Sequence, residues 1–132
     1  MIDISDVIFE DLTATGTGLY ALVKTRVWHI ESEEGWENDE AAIVYHESSE
    51  YTHPNSTDHI TATIVFKCYG GTNKSGDAKD VFLALCDRLN GTRARNATTG
   101  SILAANLITG SSFPDPNRGW FCWQCSFEVE IE

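Results

Sequence analysis

The clearest pattern in the chain is a two-residue alternation near its end. Across residues 119–132, Phe121, Trp123, Cys125, Phe127, Val129 and Ile131 fall on one side. Trp120, Cys122, Gln124, Ser126, Glu128, Glu130 and Glu132 fall on the other. Successive side chains of a strand point to opposite faces, so this segment reads as a strand with one buried face. Residues 59–69 repeat the pattern, with Ile60, Ala62, Ile64, Phe66 and Cys68 against Thr61, Thr63, Val65 and Lys67. "RVWHI" (26–30), "AAIVYHES" (41–48) and "SILAANLITGSS" (101–112) predict three further strands, and Pro114 and Pro116 mark a turn after the last of them.

Helical spacing replaces the alternation in two places. Asp3 or Ser5 can cap a first helix in which Val7, Ile8 and Leu12 recur, and "LYALVKT" (19–25) reads as a short further helical turn. After the Gly70-Gly71 turn, Asp77 can cap a helix whose Val81, Phe82, Leu85, Cys86 and Leu89 share a face. Asn90-Gly91 stops it. Helix, three strands, helix and two strands predict an α+β fold: a mainly antiparallel sheet with helices packed on one face. A chain of 132 residues fits a single domain spanning 1–132, with room for a core that needs neither disulfides nor metals.

Charge narrows the partners. Nine basic against twenty acidic residues give −11, a field that repels a phosphate backbone, whereas nucleic-acid readers carry the opposite sign. No apolar run is long enough for a membrane helix, and "MIDISDVIFEDL" lacks the basic and apolar regions of a secretory signal. Folding in the cytoplasm follows as the expectation, with the four cysteines as buried thiols and the Asn-x-Ser/Thr sequences at Asn55, Asn73, Asn90 and Asn96 as coincidence.

Motifs that could carry chemistry fail on spacing. "KCYGGTNKSGDAKDVFLALCDRLNG" (67–91) has the strand, glycine turn and helix of a phosphate-binding loop. That loop needs glycine directly before the lysine and again six residues before it, and Asn73 and Cys68 stand there before Lys74. Cys122 and Cys125 have zinc-knuckle spacing, yet a three-residue offset within a strand sends their sulfurs to opposite faces. The expectation is a core thiol at Cys125 and a half-exposed one at Cys122. His29, His46, His53 and His59 show no ligand spacing, and no Gly-x-Ser-x-Gly elbow is present. Glu31, Glu33, Glu34, Glu37, Asp39 and Glu40 form an acidic loop around Trp36 that lacks the order of a calcium loop. No catalytic residue, cofactor or metal is therefore expected.

The order of elements resembles a family. An N-terminal helix is followed by "AAIVYHES", with an aliphatic-Val-Tyr pattern, and by the long alternating "HITATIVFKCYGGT". Next comes "SGDAKDVFLALCDRLNG", with Ala78, Val81, Leu85, Leu89 and Gly91, and last "RGWFCWQCSFEVEI" with its Phe-x-Val ending. This arrangement resembles the tail terminator, or tail-completion, proteins of long-tailed bacteriophages and related viruses, most clearly from residue 41 onward.

The resemblance implies a non-enzymatic virion protein, made in the host cytoplasm. It would form a homo-oligomeric ring, a hexamer, at the head-proximal end of the tail tube. Its partners would be the tail tube protein and a head-completion or neck protein, with DNA only in passage and no membrane. Six copies at −11 carry about −66, so acidic residues facing the lumen would keep passing DNA off the wall. Glu33, Glu34 and Glu37 are the candidates for that lining. Trp36 and Trp120 are candidates for a subunit or tube contact. Alternative readings are a head-completion or stopper protein of the same neck, or a small-molecule-binding or hydrolytic α+β domain.

Overall fold

A computed structural model describes residues 3–29, 40–52, 59–71, 74–96, 99–115 and 120–132. Three helices and six strands follow in the order α1 (Ile4–Leu12), α2 (Gly18–Val23), β1 (Val27–His29), β2 (Ala41–Thr52), β3 (Ile60–Gly70), α3 (Ser75–Leu89), β4 (Thr92–Asn96), β5 (Ser101–Asp115) and β6 (Trp120–Ile131). The strands form one sheet in the order β1-β2-β3-β6-β5-β4. β1 runs parallel to β2 and every other neighbouring pair is antiparallel. The expected α+β class, a mainly antiparallel sheet backed by helices, is the observed one.

Both alternating strands sit in the middle of the sheet, where alternation matters most. β3 and β6 pair from Ile60 opposite Ile131 to Cys68 opposite Trp123. Ile60, Ala62, Ile64, Phe66, Cys68, Cys125, Phe127, Val129 and Ile131 are all buried in one cluster. Against them lie Ile4, Val7, Ile8 and Leu12 of α1, Leu19 and Val23 of α2, and Val81, Phe82, Leu85 and Leu89 of α3. Aromatic rings fill the centre: Phe127 meets Phe66 edge-on at 5.7 Å, and Phe66 lies 5.9 Å from Tyr45. The Tyr45 hydroxyl donates to the Ser5 carbonyl at 2.9 Å, which holds α1 against β2.

The helices begin and end for local reasons. Asp3 caps α1, accepting from the Ser5 and Asp6 amides, and the Thr17 hydroxyl accepts from the Tyr20 amide to start α2. α3 starts at Ser75 rather than at an Asp77 cap, and Lys74, at the capping position, offers it no side-chain bond. The first turn of α3 lies so close on Gly70 that a Cβ there would meet the Asp77 carbonyl carbon at 2.4 Å. Asp77 keeps a favourable place in that first turn, near the positive end of the helix. Asn90 ends α3, and Gly91 takes the positive φ of 78° that redirects the chain into β4.

Three further features depart from the expectation. Pro114 does not mark a turn but lies within β5, paired with Phe121. "TRARN" (92–96) is a strand, β4, which carries no apolar alternation and exists through its pairing with β5. Cys122 is not half-exposed but fully buried, in a small cluster with Val44 and Tyr69 on the sheet face opposite the helices.

Candidate functional site

Asp11, at the end of α1, is the buried charged residue among those described, at 4% exposure. Its carboxylate accepts two bonds from Arg95 of β4, Nε at 2.6 Å and Nη2 at 2.9 Å, and one from Arg88 of α3 at 3.1 Å. The Arg88 Nε donates to the Asp11 carbonyl at 3.2 Å, and the Arg95 Nη2 also donates to the Arg88 carbonyl at 2.9 Å. The forked Arg95–carboxylate pair has the geometry of the stronger charge-assisted bonds. All three charged groups are engaged with one another, so the arrangement is a clamp joining α1, α3 and β4.

Two histidines are tied across strands: His29 to Glu47 at 2.7 Å and His59 to Glu130 at 2.5 Å. His46 is half-buried on β2, and His53 lies outside the described residues. Among the described residues, no three His, Cys, Asp or Glu side chains converge as a metal site requires. An open depression of about 240 Å³ is lined by Thr17, Gly18, Leu19, Ala84, Asp87 and Arg88. Ligand pockets run to roughly 300–1,000 Å³, and the one cation here is committed to Asp11.

All four cysteines are thiols rather than disulfides. Burial pushes the Cys86 thiol from its ordinary 9.0 up to about 11, and Tyr45 from 10.0 up to about 12. Cys68 rises too, through burial first and then its contact with Cys125. Such groups are inert at neutral pH, because the thiolate is the nucleophile. They also make stability fall in alkali. The folded chain holds protons that the unfolded chain releases, so the contribution is complete below pH 9.0 and is lost as pH rises toward about 11 for Cys86, and between 10.0 and about 12 for Tyr45. The unfolding midpoint is therefore expected to hold steady up to pH 9.0 and fall beyond it, as thermal scans across that range would show.

Glu33, Glu34, Glu37 and Trp36 lie outside the described residues, so no geometry gathers them. Trp120 opens β6 opposite Asp115, at the tip of the β5–β6 hairpin, and its side chain also lies outside the description. What the sequence reading passed over is the edge beside that tip. β4 covers β5 only from Ser101 to Ala105, while β5 pairs with β6 as far as Asp115. A signal for it was present: residues 96–114 contain no charged side chain, 19 positions in a chain of net charge −11.

No helix among the described residues is long and apolar enough to cross a membrane. No protein-family model matches the chain, and no curated protein matches it in sequence. Its fold is similar to that of a chain in the structure of the virion of a native gene transfer agent particle. The TM-score is 0.72 at 14% identity, over 98% of this chain and 94% of the other. The α+β architecture built above is thus shared, almost end to end, with a chain of that virion.

Proposed function

We propose that this chain is a structural virion protein, a tail terminator that forms a ring at the head-proximal end of a tail tube. The observation that carries the reading is the end-to-end fold likeness to a virion chain. The order of elements, from "AAIVYHES" to "RGWFCWQCSFEVEI", supports the terminator role within the virion. The ring stops tube growth by covering its last layer and presents its far side to the neck of the filled head. Cyclic symmetry multiplies whatever each copy presents. Glu33, Glu34 and Glu37 then line the lumen and keep passing DNA from sticking, while Trp36 and Trp120 contact the next copy or the tube. The protein works by shape and stacking and has no reactive centre.

The test is association with tails assembled in the absence of heads. Purified protein mixed with such tails is expected to appear by electron microscopy as a single layer on one tail end. Binding to filled heads but not to tails would instead favour the head-completion or stopper role. Binding to neither would remove the virion reading.

A further inference from the structure

β5 carries an exposed strand edge, and its composition is unusual for this chain. From residue 106 onward β5 has β6 on one side and, among the described residues, no strand on the other. The Leu107 amide on that side is taken by the Asn90 side chain at 3.0 Å, which closes the covered part of the edge. Residues 108–111 follow, all exposed, with Ile108 at 52%.

Exposed edges are ordinarily blunted by lysine, other charges or proline, because their unpaired amides and carbonyls invite another strand. Here no charge occurs between Arg95 and Asp115, and Pro114 stands only at the far end. The bulge between Leu107 and Thr109 bends the strand without placing a charge on it.

Net charge identifies the occupant. A chain at −11 repels its own copies over most of its surface, and a basic partner would gain nothing from an uncharged strip. A second copy of this chain can come close only where neither surface is charged, and the strip on β5 meets that condition. Main-chain hydrogen bonds would supply the affinity, and the half-exposed Ile108 an apolar anchor.

We infer that residues 108–111 of β5 are a self-association seam, extended by a strand from a second copy of this chain. The seam deepens the ring reading and rests on it: it names the surface through which neighbouring copies meet.

Ile108→Glu and Leu83→Glu test it as a pair. Both replace an apolar side chain of similar exposure, 52% and 47%, and both add one negative charge; Leu83 lies on α3 rather than on β5. Sedimentation of the wild type across a concentration series should show self-association. Ile108→Glu should weaken it by about tenfold or more, while Leu83→Glu leaves it near the wild-type value. Circular dichroism and the unfolding midpoint verify that both variants are folded, as expected for such exposed positions. A wild type that stays monomeric throughout, or an Ile108→Glu variant that associates like the wild type, overturns the seam. So does equal loss in both variants, which would make the effect one of net charge. None of these results decides the virion reading, which stands or falls on the binding to tails.

Discussion

Asp11→Ala is expected to lower the stability of the folded chain by about 3 kcal/mol, since removing one partner of a buried ion pair leaves the other charge uncompensated. The loss sits at the low end of the usual range because the Arg88 and Arg95 side chains are 19% and 28% exposed and water can partly solvate them, whereas the Asp11 side chain is at 3%. A loss of that size is a large share of the roughly 5–15 kcal/mol that holds a domain together. It should lower the unfolding midpoint by roughly 10 °C. The consequence is also local. Asp11 joins the end of α1 to α3 and β4, so α1 is expected to lose protection from amide exchange first. Chemical denaturation of Asp11→Ala, Arg95→Ala and the double variant gives the coupling directly. If the two single losses simply added, the clamp would be refuted.

Gly70→Val is expected to cost about 3 kcal/mol or more, for a steric reason. A Cβ at Gly70 would lie 2.4 Å from the Asp77 carbonyl carbon and 2.5 Å from the Ala78 nitrogen. Neither is the end of a flexible side chain that could swing away. The first turn of α3 must lift from β3, and the buried Ala78 lifts with it. Overpacking of this kind costs typically 1–3 kcal/mol for a small intrusion, and valine adds two carbons beyond the Cβ. Gly76→Ala makes the contrast, because nothing lies within 4 Å of a Cβ there. In the same helical turn it should instead stabilise by about 0.4–1 kcal/mol. Equilibrium unfolding of the two variants side by side reads both signs. Equal, small effects would show that α3 does not bear on the glycine. The strand, glycine turn and helix that resemble a phosphate loop would then need another account than close packing.

Some of this architecture was legible along the chain. Phe66 and Phe127 could be assigned to a buried face without coordinates, because burial on a pleated strand imposes a period of two on its own sequence. Val81, Leu85 and Leu89 were legible for the matching reason on α3. β4 was not legible: Arg93 and Arg95 show no apolar alternation, and only the neighbouring β5 makes that segment a strand. Cys122 was placed correctly on the face away from the helices. That the face is covered there depends on Val44 and Tyr69, which come from two other strands.

By itself the sequence determined the α+β class, the buried sides of the central strands and the strong negative charge. Each is a property of one segment or of a simple sum. The tertiary structure alone decided the Asp11 clamp, the contact that forbids a side chain at Gly70 and the place where β4 stops covering β5. Each of these joins residues far apart in the chain, and no local pattern encodes which distant groups will meet.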